Sequence, residues 1–153
     1  MQEHEEYMRK ALSEAMMAYS IDEVPVGCVI VYDGNIIGRG FNRRMTDKNA
    51  LRHAELIAIE QACGFIGDWR LEGCDIYVTV EPCPMCAGAI IQARIPNLIY
   101  GAQNPKAGSA GSILNILQNP QFNHQTEIIT GVLEMECSEL MRKYFREFRT
   151  RNA

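Results

Sequence analysis

Long apolar runs are missing from this sequence. Its longest, near residues 26–32 and 87–91, fall far short of the ~20 residues a membrane-spanning helix needs. The first ten residues, MQEHEEYMRK, are acidic and polar with no apolar segment, so a secretory leader is not expected. Neither end carries a lipidation motif. These absences predict a soluble, cytoplasmic protein. No internal repeat, low-complexity tract or linker interrupts the chain, so residues 1–153 are expected to form a single domain. An excess of positive charge is also lacking: the formal net charge is -4, so any attraction for a polyanion must come from local patches. Histidine is scarce, with three residues, which leaves few nitrogen ligands for a metal. Disulfides are not expected from the six cysteines in a reducing compartment. Cys28, Cys63, Cys74 and Cys137 stand alone and read as small buried hydrophobes.

Hydrophobic residues make up 47% of the chain, enough for a substantial core and against global disorder. Residues 3–19 place Tyr7, Met8, Ala11, Leu12, Ala15 and Met16 at helical spacing. Residues 26–32 and 36–41 flank Asp33-Gly34 and predict a β-hairpin. A polar, basic loop follows over 42–49. Residues 51–63 predict a helix, 76–80 a strand, 84–94 a small-residue helix with Pro84 in its first turn, and 97–100 a strand parallel to the one before. Residues 101–112, with three glycines and one proline, predict a loop. Ser112 is expected to cap a short helix to residue 117. A strand over 127–130 and an amphipathic helix over 134–149 complete the pattern. It predicts a layered α/β domain with a mixed sheet.

Charge is unevenly spread. Residues 1–23 carry six acids and two bases. Residues 39–52 carry Arg39, Arg43, Arg44, Lys48 and Arg52 against Asp47, and residues 138–153 carry five bases against Glu139 and Glu147. Charge alone favours solvated faces for both segments over a stripe for an anionic polymer.

The chemistry concentrates in Pro82-Cys83-Pro84-Met85-Cys86. Cysteines three apart at a helix start share one side, where free N–H groups and the helix dipole favour thiolates. A lone C-x-x-C suits either zinc or a redox pair, and no second C-x-x-C exists to complete a four-cysteine site. His53-Ala54-Glu55 lies 30 residues before Cys83. His4-Glu5-Glu6 repeats the H-x-E triplet on a polar first turn and reads as solvated. His124 lies in a polar loop and reads as a surface or ligand-contacting residue. H-x-E followed by P-C-x-x-C is a known signature of zinc-dependent base deaminases. It assigns His53, Cys83 and Cys86 as zinc ligands, one Zn2+ per chain, and Glu55 as the proton carrier. Three protein ligands leave a tetrahedral position open, the mark of a catalytic site.

The run from Val78 through Cys83 and Cys86 to Ile90, with Val24-Pro25-Val26-Gly27 and His53-Ala54-Glu55, resembles the cytidine deaminase-like superfamily. Ile99-Tyr100-Gly101-Ala102, the stretch Lys106 to Ser112, and Asn123-His124 resemble the bacterial tRNA-specific adenosine deaminases. The resemblance spans residues 5–150. It implies a three-layer cytidine deaminase-like α/β fold with a mixed central sheet of about five strands. It also implies conversion of adenosine to inosine at the wobble position of a tRNA anticodon stem-loop, and a homodimer. Asn42, Val26 and Ala54 are implied around the base, and Lys106, Asn123, Phe145 and Arg149 as further substrate contacts. Gln103-Asn104 departs from the acidic residue common in bacterial members. The alternatives are a free-base deaminase of guanine or cytosine type on the same fold, or a non-catalytic zinc or redox module.

Overall fold

The computed structural model describes residues 1–151. A five-stranded mixed sheet runs in the order β2-β1-β3-β4-β5, with β1 Gly27–Tyr32, β2 Asn35–Phe41, β3 Cys74–Val80, β4 Asn97–Ala102 and β5 Glu127–Ile129. Strand β1 pairs antiparallel with both β2 and β3, whereas β3, β4 and β5 run parallel. The hairpin turn forms where expected, with φ of 51° at Asp33 and 75° at Gly34. Positive φ at both central residues gives the strand twist that a two-residue hairpin needs.

Alternation along the strands builds two cores. Cys28, Ile30, Ile76, Val78 and Leu98 face one side and meet Ala54, Ala58, Ala62, Ala87 and Ile90. Those partners come from helices α2 (Ala54–Ile66) and α3 (Pro84–Gln92). Val29, Val31, Tyr77 and Ile99 face the other side and meet Met8, Ala11 and Cys137 from α1 (Gln2–Ser20) and α4 (Glu134–Arg151). Covering both faces is what a largely buried, partly parallel sheet requires. The result is the expected three-layer fold. Among the described residues, no helix is long and apolar enough to cross a membrane.

Helix α2 sits unusually close to the sheet. Its alanines at four-residue spacing lie over glycines of β2: a Cβ on Gly40 would come within 2.3 Å of the Ala54 carbonyl oxygen, and one on Gly38 within 2.4 Å of that of Ala58. Small residues on both elements therefore set how deep the start of α2 reaches.

Two elements differ from the sequence expectation. Helix α2 begins at Ala54 rather than near residue 51, because residues 49–53 are committed to the preceding loop. Arg52 donates its N–H to the Asn49 carbonyl while its own carbonyl accepts from Arg43, and the Leu51 N–H goes to the Asn49 side chain. The short helix after Ser112 does not form. Residues 111–117 form turns around an isolated bridge between Ala110 and Asn115, and Ser112 donates its N–H and hydroxyl to Glu81 instead of capping a helix.

Candidate active site

Helices α2 and α3 both begin beside the carboxyl ends of β3 and β4, the end of a parallel sheet where ligands usually bind. His53 is the N-cap of α2 and Cys83 that of α3, both in extended backbone conformation and neither making a side-chain cap hydrogen bond. Pro84 occupies the first turn of α3, as expected. His53 Nδ1 lies 3.6 Å from Cys83 Sγ and 3.5 Å from Cys86 Sγ. All three candidate ligand atoms lie within 4.8 Å of one another, and this is the one such group among the described residues.

These separations fit zinc. Bonds of about 2.3 Å to sulfur and 2.0–2.1 Å to nitrogen at a tetrahedral angle place N and S about 3.6 Å apart. The electrostatics agree. The Cys83 thiol is pulled down to about 4 by the hydrogen bond from Cys86, assisted by His53. The same bond and burial push the Cys86 thiol up. The pair thus retains one proton that a divalent cation would displace. His53 is raised, chiefly by its hydrogen bond to Cys83.

Glu55, in the first turn of α2, is only 4% exposed. It contacts Cys86 but stands outside the three-ligand group. Burial pushes its carboxyl up to about 7. A carboxyl with such a pKa can both accept and donate a proton near neutrality.

A cavity of about 140 Å³ opens over these groups, walled by Val26, Asn42, Arg44, His53, Ala54, Glu55 and Asn104. Asn42 spans the rim, donating from Nδ2 to the Val24 carbonyl and accepting the Arg44 N–H at Oδ1. A groove of about 770 Å³ adjoins the cavity through shared Val24, Val26, Val80 and Asn104, and is lined by Lys106, Phe145 and Arg149. Phe145 is 38% exposed, so its ring lines the groove and is not enclosed in the core.

The structure thus brings together every residue the sequence suggested except Asn123. That residue is exposed in the turn before β5 and lines neither space. Its neighbour His124 donates from Nε2 to the Ile95 carbonyl at 2.8 Å, which pins the turn to the amino end of β4, away from the cavity. His124 thus makes a structural hydrogen bond. His4 is not simply solvated either: its Nδ1 lies 2.7 Å from the Tyr77 hydroxyl.

The chain's residues 2–149 match the family model of MafB19-like deaminases. It is 47% identical over 149 residues to the tRNA-specific adenosine deaminase of Bacillus subtilis, covering 97% of this chain and 92% of that one. It is 44% identical to that of Agrobacterium fabrum, covering 97% and 98%. The chain belongs to the family of bacterial tRNA-specific adenosine deaminases. A solved structure from a study of A-to-I editing by tRNA:A34 deaminases superposes with a TM-score of 0.85 at 44% identity, over 88% of this chain and 98% of that one. Guanine deaminase from Nitrosomonas europaea, at 21% identity and a TM-score of 0.79 over 92% and 83%, shares the fold.

Within this deaminase the sequence left two residues without a role. Glu81 and Glu23 are each 1% exposed. The Glu81 carboxylate accepts N–H groups of Asn104, Ala110 and Ser112 and the Ser112 hydroxyl. Burial alone would raise its pKa, but these hydrogen bonds together hold it below the ordinary value. Glu23 accepts the N–H groups of Met45 and Thr46. Each carboxylate thus fastens one of the two loops that wall the cavity. A glutamate at a strand end beside a cysteine motif carries no signal of this in sequence, because its partners are backbone groups of distant, irregular loops.

Proposed function

We propose that this protein is a zinc-dependent hydrolase that converts adenosine to inosine at the wobble position of a tRNA anticodon stem-loop, releasing ammonia. The observation that carries it is the buried Glu55 beside the His53, Cys83 and Cys86 group, in a base-sized cavity continuous with a groove that bears cations. The relatives named as tRNA-specific adenosine deaminases supply the substrate class.

His53, Cys83 and Cys86 would hold the zinc, which when bound supplies Lewis acidity that makes a water nucleophilic at neutral pH. Water adds at C6 of the adenine ring, and the exocyclic amine departs. Glu55 takes a proton from the attacking water and delivers it to ring N1, then moves a proton to the leaving amine. Atoms balance as adenosine plus water to inosine plus ammonia. Val26 and Ala54 shape the walls around the base, and Asn42 presents its amide at the rim. Lys106, Phe145 and Arg149 hold flanking nucleotides in the groove, the arginine and lysine against phosphate and the aromatic ring against a base.

A homodimer belongs to the same proposal. Asn123 lies outside its own chain's cavity and groove, and a second copy would bring it to bound RNA. Exposed Leu51, Phe65, Ile113 and Leu114 provide apolar surface for such an association. The cytoplasm, where tRNA resides, is the compartment implied.

The test is substrate choice. The zinc-loaded protein should release ammonia from a wobble-adenosine stem-loop and leave free guanine and cytosine untouched. Turnover of the free bases without the stem-loop would overturn the proposal in favour of a free-base deaminase.

A further inference from the structure

The two basic segments look alike in sequence, but the fold uses up most of their charge. Arg43 and Arg52 both pair with Asp47, at 3.0 and 3.1 Å. Arg39 faces Glu14 at 3.8 Å. On α4, Arg142 and Arg146 share Glu139, Arg151 pairs with Asp22, and Lys143 lies over the Tyr19 ring. Among the described residues, the side chain of Arg44 makes no ion pair or hydrogen bond, and it is the one arginine or lysine that lines the catalytic cavity itself.

Its backbone is as constrained as its tip is free. Asn42 Oδ1 accepts the Arg44 N–H at 3.1 Å. Buried Glu23 accepts the next two N–H groups, those of Met45 and Thr46, at 3.3 and 2.6 Å. The exposed guanidinium therefore projects from a fixed anchor at the rim, close enough for its charge to be felt at both His53 and Tyr144 of α4. A cation held this way loses little backbone freedom on meeting an anion. Arginine also offers a planar fork matched to phosphate oxygens.

We propose that Arg44 binds the backbone phosphate adjoining the nucleotide whose base enters the cavity, and so selects a polynucleotide over a free base or nucleoside. This rests on the RNA-deaminase function proposed above and adds a specificity contact at the rim, separate from the cations of the groove. The neighbouring Arg43, equal in charge and one residue away, cannot substitute because Asp47 occupies it.

The test uses the full zinc-loaded chain and a wobble-adenosine anticodon stem-loop, with binding followed by fluorescence anisotropy from low to high salt. Arg44→Gln should weaken binding about tenfold and make the slope of log K against log[salt] shallower by about 0.7–0.9, the loss of one phosphate contact. Arg44→Lys should restore the slope, since it keeps the charge. Lys10→Gln, an equal charge change on exposed α1 away from the cavity, should leave it unaltered. A stem-loop with a methylphosphonate at the phosphate beside the target adenosine should cost the wild-type protein the same tenfold and cost Arg44→Gln nothing more. Turnover should fall through KM, with kcat retained.

Identical slopes for Arg44→Gln and Lys10→Gln would overturn the role of Arg44 while leaving deamination intact. So would additive losses from Arg44→Gln and the methylphosphonate, or a change in oligomeric mass with Arg44→Gln and no change in salt slope. A wild-type protein that binds the stem-loop without deaminating it would sink the proposed reaction instead, since the salt slope still reads Arg44.

Discussion

Replacing Glu81 by glutamine changes one oxygen to an NH2 and leaves the shape of the side chain intact, yet it should be costly. Oε1 receives the Asn104 N–H and the Ser112 hydroxyl, and Oε2 receives the N–H groups of Ala110 and Ser112. An amide keeps one acceptor oxygen. If the NH2 took the Oε2 place, two backbone donors would face it. The cheaper arrangement puts the NH2 at the Oε1 place, where the Ser112 hydroxyl can rotate to accept and only the Asn104 N–H is orphaned. One buried unsatisfied donor costs about 1–3 kcal/mol, and replacing a charged acceptor by a neutral one at the two remaining bonds costs about 1 kcal/mol more.

The expected destabilisation is therefore about 2–4 kcal/mol. For a domain of this size each kcal/mol moves Tm by roughly 2–4 °C, so Glu81→Gln should melt about 4–16 °C below the wild type. Differential scanning calorimetry of zinc-loaded protein at pH 7 measures this. Because the affected loop carries Asn104 and Lys106, kcat/KM for a stem-loop should fall as well, with zinc content unchanged. A variant melting within 2 °C of the wild type would refute the assignment of Glu81 as the clasp of that loop.

Gly40→Ala should damage the site from outside it. The added Cβ would lie 2.3 Å from the Ala54 carbonyl and 3.0 Å from the Ala58 N, so α2 must shift and carry His53 and Glu55 with it. The expected result is about 1–3 kcal/mol lost in urea unfolding and about 100-fold in kcat, and wild-type kcat would refute it. Glu55→Gln should lower turnover by at least 100-fold while elemental analysis still finds about one zinc per chain. Loss of the metal along with the activity would show that Glu55 is a ligand instead. Phe145→Ala should raise KM for a stem-loop about tenfold with little change in Tm, as the half-exposed ring is set for base stacking. A large fall in Tm at constant KM would return Phe145 to the core.

The hairpin, the parallel β3-β4 pair, the order of helices and the grouping of His53, Cys83 and Cys86 were legible because each depends on local signals. Asp33-Gly34 sets a turn by its backbone preference, and His53, Cys83 and Cys86 are named by residue type and spacing. What sequence could not reveal depends on long-range backbone pairing. Ser112 has the chemistry of a helix cap, but Glu81, 31 residues away, offers its hydroxyl and N–H a charged acceptor. Residues 51–53 have helical company, but Asn49 and Arg43 take their backbone groups first. The basic segments were visible as composition, while their division into spent and unspent charge depends on where Asp47, Glu139 and Asp22 fall in space.

The helix starts show how stability is given up for chemistry. A serine, threonine or aspartate at an N-cap contributes typically ~1 kcal/mol by accepting a backbone N–H. Both helices that feed the cavity forgo this, because their N-caps are His53 and Cys83 with side chains turned toward each other. The N–H groups at the helix starts leave a positive dipole end at the sulfurs, which suits the Cys83 thiolate. The anchoring lost at the caps is replaced from behind, where Ala54, Ala58 and the glycines of β2 let α2 settle onto the sheet. The geometry of the His53, Cys83 and Cys86 group in this deaminase thus depends on small residues that never touch it, and the two N-cap side chains face each other across the start of the cavity.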